Sequence, residues 1–197
     1  MTSLAQIDRI ILPEPNWQEI VVHGKRKLAG ELLPGRRAYG IIAGSVYEKQ
    51  VTVVRVLPGK NNFRSEEPYK TYMDRIMAQH AIPSKTPLNK RGWVMDPLEV
   101  KECYDICDRE NLLVLGTYHM HFVPWEGDPI RDTPTHLDTV LARNSNLFQF
   151  IISLVDINNP RIRAFYEGKK DKETPILIQD EGQREEETSI LFQSATA

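Results

Sequence analysis

Two histidines alternate near the middle of the chain and could bind a metal ion together. His119 and His121 lie in the apolar run LLVLGTYHMHF, which has the composition of a β-strand. Side chains two residues apart in a strand point to the same face, so the two imidazoles project together while Tyr118 and Met120 face the opposite layer. Hydrogen-bonded histidines of a half-buried strand would show the same spacing, so a metal site requires a further ligand.

A carboxylate downstream supplies that ligand. In the segment PTHLD, Thr135 is suited to cap a helix, and Asp138 lies in the first turn of that helix. Two histidines and one carboxylate form the three-ligand set of catalytic zinc, whose fourth position holds water. Zinc lowers the pKa of that water from about 15.7 to about 7. The pattern therefore predicts a hydroxide nucleophile at neutral pH.

The two segments together resemble the His-x-His and Ser-x-x-Asp signature of the JAMM (MPN+) zinc metalloproteases, and the resemblance covers roughly residues 15 to 167. It implies an α/β (α+β) fold in which helices flank a curved, mainly antiparallel sheet. It also implies that His119, His121 and Asp138 bind Zn²⁺ at one edge of the fold. Thr135 stands where the family has the serine that stabilises the oxyanion, and threonine retains the hydroxyl.

The resemblance also implies a reaction and a partner. Family members cleave isopeptide or peptide bonds after the C-terminal glycine of ubiquitin or a ubiquitin-like protein, and bacterial relatives process small sulfur-carrier or ubiquitin-like proteins. We therefore expect a zinc metallopeptidase that acts on the C-terminal tail of a ubiquitin-like or sulfur-carrier protein. The alternative is a catalytically impaired scaffold of the same fold that binds such a partner.

The alternative arises because the family's general base, a glutamate just before the first family strand, is missing. In PGRRAYGIIAG the matching position is Arg37 or, with a shift of one residue, Ala38. An arginine cannot accept a proton near neutral pH. Three explanations remain open. Ala38 could be a deliberate substitution of the glutamate that traps substrate, or the chain could be a pseudoenzyme. Alternatively, another carboxylate could serve as base, and the candidates are Glu31, Glu126, Asp128 and Asp132.

Other departures from the family lie around the metal strand. Met120 replaces a small hydroxyl residue and Phe122 replaces a proline. The loop FVPWEGDPIRDTP is longer than the usual link and contains Trp125. We expect this loop and an insertion over residues 60–92 to border the metal groove and to select the partner, because loops commonly carry recognition.

The remaining histidines and the two cysteines have simpler interpretations. His23 falls within a helix, and His80 ends a helix in the insertion. His136 follows Thr135 but points away from Asp138, so it is not a predicted ligand. The two cysteines are one helical turn apart and are expected to lie in a reduced core; they are Cys103 and Cys107.

The elements that position these residues follow from periodicity and capping signals. A first helix is predicted from an Asn16 cap, with Glu19 in the capping-box position, to Pro34 and Gly35. A hairpin follows over residues 38–59, and a helix over 68–80 lies in the insertion. A helix capped by Asp96 runs to about Glu110 and leads into the metal strand. The last elements are a short helix at 135–144 and strands at 147–155 and 161–168.

The bulk composition fits one globular domain. We assign residues 1–170 to that domain and residues 171–197 to an extension with two apolar runs, PILI and SILF, which either add edge strands or bind a partner. With 25 basic and 27 acidic residues, the net charge of −2 gives no indication of nucleic-acid binding. The sequence has no apolar run of membrane-spanning length and no signal peptide, so we expect a cytoplasmic protein that does not bind membranes.

Overall fold

The structure, a computed structural model, describes residues 3–32, 35–84 and 86–180. The strands in this part of the chain are β1 (Arg9–Pro13), β2 (Tyr39–Tyr47), β3 (Gln50–Pro58), β4 (Leu113–His121), β5 (Phe148–Ser153), β6 (Arg161–Tyr166), β7 (Glu173–Thr174) and β8 (Ile176–Gln179). The helices are α1 (Glu14–Ala29), α2 (Tyr69–His80), α3 (Pro97–Glu110) and α4 (His136–Ala142). Short 3-10 turns lie at Leu4–Gln6, Phe63–Ser65 and Leu88–Lys90.

The strands form one mixed sheet in the order β7-β6-β5-β4-β2-β3-β1-β8. Among the described strands, four neighbouring pairs are antiparallel and three are parallel, the parallel ones being β1–β3, β1–β8 and β4–β5. The expected α+β class is thus confirmed. The sheet is more mixed than the mainly antiparallel one that the family resemblance implies.

The sheet curls until its two ends nearly meet. β7 and β8 stand at opposite ends of the strand order, yet only Pro175 separates them along the chain. The carbonyl of Pro175 accepts a hydrogen bond of 2.9 Å from the Ile10 backbone N–H in β1. The sheet therefore continues past residue 170, where the sequence suggests that an extension begins, and PILI supplies the edge strand β8. The second run, SILF, lies outside the described residues.

The two faces of the sheet carry different layers. One face packs on α1 in the larger hydrophobic cluster, which includes Trp17, Ile20, Tyr118 and Met120. The other face carries α3 in a second cluster that includes Tyr39, Met95 and Cys103. Since Tyr118 and Met120 face the α1 layer, His119 and His121 project from the opposite face. The sequence-based assignment of the two sides of this strand is confirmed.

The first helix differs from its prediction at both ends. It begins at Glu14, directly after β1, so Asn16 lies inside the helix and donates a hydrogen bond to the Val54 carbonyl instead of capping. Pro15 fits the first turn because a helix does not use the N–H groups there. The helix ends at Ala29, since Gly30 takes a left-handed conformation (φ 79°) that favours a C-terminal cap. The predicted capping box at Asn16 and the predicted end at Pro34 and Gly35 are wrong.

Most other predicted elements are confirmed. The hairpin forms β2 and β3, the helix in the insertion forms α2, and the Asp96 side chain caps α3 by accepting the Leu98 N–H at 2.9 Å. β1 was not predicted, because RIILP is short and joins α1 without a turn signal. None of the described helices is long and apolar enough to span a membrane.

Candidate metal centre

The two histidines are held at the end of β4, in the interior of the sheet. β4 pairs antiparallel with β2, where Tyr39 lies opposite His119, and parallel with β5, where Ile151 and Ser153 align with His119 and His121. A strand with neighbours on both sides has little freedom to move. The pairing therefore fixes both imidazoles on one face, with His119 only 6% exposed.

The carboxylate ligand is fixed by a capping box at the start of α4. The Thr135 side chain accepts a hydrogen bond from the Asp138 N–H at 3.3 Å, and Asp138 Oδ2 accepts one from the Thr135 N–H at 2.6 Å. The predicted cap is thus confirmed. Because Oδ2 is used by the cap, Oδ1 is the oxygen left to face the histidines.

The three side chains converge at distances that suit one metal ion. His119 Nε2 lies 3.2 Å from His121 Nε2 and 3.3 Å from Asp138 Oδ1. Ligand atoms about 2.05 Å from a common ion, at tetrahedral angles, would be separated by about 3.3 Å. Among the described residues, these three form the group of histidine, cysteine and acidic side chains that could hold a metal. The donor set fits a metal ion, and nitrogen with carboxylate oxygen suits zinc among others.

The protonation of His121 and Asp138 favours metal binding. Burial, with the nearby His119, lowers the pKa of His121 to about 3. Burial by itself would raise the pKa of Asp138, but the attraction and hydrogen bond of His119, with His121 and the Thr135 N–H, hold it below the ordinary value. At neutral pH the His121 ring is therefore neutral and the Asp138 carboxyl ionised, which are the states that a metal requires of these ligands.

A backbone carbonyl orients one of the rings. His121 Nδ1 lies 3.0 Å from the carbonyl oxygen of Arg131. A carbonyl only accepts, so Nδ1 carries the hydrogen and Nε2 keeps its lone pair for a metal. Arg131 adopts a positive φ of 59°, and its guanidinium lies over the Trp125 ring. The sequence gives no sign of the contact between His121 and Arg131, because it uses the backbone carbonyl of a loop residue.

The metal ligands open onto a cavity of about 670 Å³. One wall belongs to α2, whose lining residues include Tyr69, Met73 and Met77, and Trp125 lines the cavity from the loop after β4. The expectation that the insertion and the Trp125 loop border the metal groove is confirmed. Thr135 lines the same cavity.

Arg37 and Ala38 both line the metal cavity, and the strand register places the Arg37 side chain on the ligand face. Tyr39 shares the face of His119, and alternation returns Arg37 to that face two residues earlier. Arg37 lines the cavity and donates from Nη2 to the Lys90 carbonyl at 2.8 Å. Ala38 is 2% exposed and packs in the larger cluster on the opposite face. Arg37 is therefore the position whose side chain faces the ligands, and a glutamate replaced by Ala38 stays an open explanation.

The four alternative bases lie elsewhere, and none lines the cavity in the described structure. Asp132 pairs with Arg163 at 3.1 Å, and Glu31 pairs with Arg26 at 3.2 Å. Asp128 accepts the Arg131 N–H at 2.8 Å and so shapes its own loop. Glu126 is exposed. Asp138 is consequently the one carboxylate among the cavity-lining residues that are described.

The other histidines and the cysteines are not part of the ligand set. His23 is buried, and its Nδ1 lies 2.7 Å from the Tyr118 hydroxyl. His80 and His136 stack edge to face with ring centres 5.1 Å apart, where α2 meets α4. Cys103 and Cys107 are buried free thiols, as expected, and burial raises the pKa of Cys103 to about 11.

Comparisons with known proteins show the fold alone. No protein-family model matches the sequence, and no curated protein matches it significantly. Its fold is similar to the solution structure of protein DSY2949 from Desulfitobacterium hafniense, with 23% sequence identity and a TM-score of 0.58. The similarity covers 87% of this chain and 94% of that chain.

Proposed function

We propose that this chain is a JAMM-type zinc metallopeptidase that hydrolyses the bond after the C-terminal glycine of a ubiquitin-like protein. The observation that carries the proposal is the convergence of His119, His121 and Asp138, at 3.2 and 3.3 Å, on the wall of a cavity of about 670 Å³. The sequence resemblance supplies the reaction and the class of partner.

The residues of the chain have distinct tasks in this proposal. A bound zinc ion would polarise the scissile carbonyl and lower the pKa of a water molecule to about 7. Thr135 accepts the Asp138 N–H through its hydroxyl oxygen, so the hydroxyl hydrogen remains free to donate to the oxyanion. The α2 wall and Trp125 would hold the tail and exclude bulk water.

Turnover is expected to be slow because no described carboxylate except Asp138 lines the cavity. A general base typically contributes a factor of about 10² to 10⁴ in rate. Asp138 cannot serve as that base, since its two oxygens face the cap and the histidines. The chain would therefore rely on metal activation of water and on the Thr135 hydroxyl.

The second candidate function is tail binding without hydrolysis. Arg37 favours it, because a guanidinium occupies the ligand face where a proton acceptor would be needed. The two candidates share the metal site and the partner and differ only in turnover.

Metal analysis and a cleavage assay test both candidates. The wild type should bind about one zinc per chain, and a His119→Ala, His121→Ala variant should bind none. Zinc-loaded wild type is then incubated with a ubiquitin-like protein fused through its C-terminal glycine to a reporter. Slow, chelator-sensitive release supports the peptidase, whereas tail binding without release supports the second candidate. Equal zinc content in the two proteins would refute the site itself.

A further inference from the structure

A second, smaller cavity of about 360 Å³ lies beside the metal groove and is strongly basic. We call it the basic recess and define it by Arg36, Arg37, Asn62, Arg64, Ser65 and Lys90. Four of these six side chains are cationic, and no carboxylate is among the described residues that line the cavity. Surface cations are normally interspersed with acidic groups, so a recess of one sign indicates an anionic ligand.

Arg64 lines the basic recess and is held in place by burial and hydrogen bonds. It is only 3% exposed, and its Nε donates to the Arg91 carbonyl at 2.9 Å while Nη2 meets Asp74 at 2.5 Å. Nη1 is buried and has no hydrogen-bond partner among the described residues. A buried guanidinium nitrogen without an acceptor is costly. Asp74 does not reach Nη1, because its Oδ1 faces Nη2 and its Oδ2 pairs with Lys70 at 2.9 Å.

Arg37 adds a second fixed charge. Its Nη2 donates to the Lys90 carbonyl at 2.8 Å, which holds the guanidinium at the boundary between the recess and the metal groove. Burial and the positive charges of Arg91 and Arg64 lower the pKa of Arg37. The arginines thus repel one another in a partly dehydrated space, and a bound anion would relieve that repulsion.

Neutral donors complete the site. Asn62 accepts the Arg64 and Val94 backbone N–H groups at 3.0 Å through Oδ1. This leaves its Nδ2 amide, which has no partner among the described residues, free to donate into the recess. Ser65, which carries a hydroxyl, also lines the cavity. Guanidinium, amide and hydroxyl donors together match an anion with several acceptor oxygens.

We propose that the basic recess is a binding site for a phosphate group. A phosphate monoester carries close to two negative charges near neutral pH and offers three acceptor oxygens, whereas a carboxylate carries one charge and two oxygens. Arg37, Gly92 and Phe122 line both the recess and the metal groove. A monoester with an apolar body can therefore place its phosphate in the recess and its body against Phe122.

The experiment removes the metal site first, so that phosphate cannot bind through zinc. In the His119→Ala, His121→Ala background, inorganic phosphate, phenyl phosphate and acetate are titrated at constant ionic strength set with chloride. NMR shifts of the Asn62 side-chain amide and the Gly92 amide report occupancy. The test variant adds Arg36→Gln and Lys90→Gln, two exposed positions that leave the buried Arg64 in place. The control adds Arg9→Gln and Lys101→Gln, which remove the same charge elsewhere.

Saturable shifts with both phosphates would support the proposal, provided that the affinity falls about tenfold or more in the test variant and is unchanged in the control. Tighter binding of phenyl phosphate than of inorganic phosphate would support the path along Phe122. Equal affinity in test and control variants would overturn the site. Acetate that binds as tightly as phosphate would overturn the assignment of the ligand. The test does not depend on peptidase activity, since the protein used lacks the metal ligands.

Discussion

Thr135 and Asp138 form the capping box at the start of α4, and the Asp138 carboxylate that takes part in this box also faces His119. Asp138 Oδ2 accepts the Thr135 N–H at 2.6 Å, and Oδ1 lies 3.3 Å from His119 Nε2. Helix initiation and metal ligation therefore share one side chain. A change in the cap should alter the position of a metal ligand without touching the ligand itself.

Replacement of Thr135 tests this coupling. Thr135→Ala removes the side-chain acceptor of the Asp138 N–H and should lower the free energy of unfolding by about 1 kcal/mol. It should also weaken zinc binding by about 10- to 100-fold, because residues that orient ligands contribute on that scale. Competition with a fluorescent chelator measures the affinity. Thr135→Ser, which keeps the hydroxyl, is the matched control, and equal zinc affinity in the two variants would contradict the coupling.

A carboxylate introduced at position 37 tests the missing base. Arg37 shares the face of the ligands, so Arg37→Glu should place a proton acceptor beside the metal and raise the cleavage rate by about 10² or more. Release of a reporter from a ubiquitin-like fusion gives the rate.

Ala38→Glu is the control for that change. Ala38 is buried in the larger cluster, so a glutamate there should lower stability without raising the rate. Activation by Ala38→Glu alone would show that the ligand face is assigned to the wrong residue. Absence of cleavage from the Arg37→Glu protein, despite bound zinc and bound tail, would favour the tail-binding function.

Acid should destabilise the metal-free protein partly through His23. Burial, with the charges of Lys27 and Arg26, lowers the pKa of His23 from 6.5 to about 4. The unfolded chain therefore binds more protons between these values, and the stabilising contribution of neutral His23 is present above about pH 6.5 and lost as the pH falls toward 4. On the order of 2 to 3 kcal/mol should be lost between pH 7.5 and 4.5.

Urea denaturation at the two pH values measures this loss. His23→Gln can retain a hydrogen bond to the Tyr118 hydroxyl but does not titrate. Its free energy of unfolding should fall less over the same interval, by about the amount assigned to His23. Identical pH dependence in both proteins would show that other groups, such as His121, account for the acid sensitivity.

Gly116 should be intolerant of any side chain. A Cβ atom built there would lie 2.1 Å from the Phe148 carbonyl oxygen, and two paired strands cannot separate locally without loss of ladder hydrogen bonds. Gly116→Ala should cost about 3 kcal/mol of stability. Gly127→Ala is the control, because a Cβ there meets nothing within 4 Å and should change stability by less than about 0.5 kcal/mol. Thermal unfolding of the two variants decides the point.

The local elements could be predicted from sequence where a short-range pattern determines them. Alternation gave the two faces of β4, and capping residues gave the starts of α3 and α4. The sequence misplaces the start of α1, because Asn16 and Glu19 match a capping box by spacing, although Pro15 allows the helix to begin earlier. The sequence does not reveal strand β1, because its stability comes from pairing with β3 and β8, which are distant in sequence.

The candidate ligands could likewise be predicted, because two of them share one strand and the third begins the next helix. The surroundings of the site could not. The Arg131 carbonyl that orients His121 carries no side-chain signal, and the basic recess combines residues from three separate segments. The face occupied by Arg37 depends on the pairing of Tyr39 with His119, which sets the register and which the sequence does not reveal.

The near-closure of the sheet by Pro175 also bears on how the chain avoids self-association. β8 covers the outer edge of β1, and β7 covers that of β6. A protein shortened to residue 170 would lose both and expose two rows of unpaired backbone groups, which are templates for strand exchange with a second copy. Residues 171–180 thus cover two strand edges whose exposure would favour aggregation.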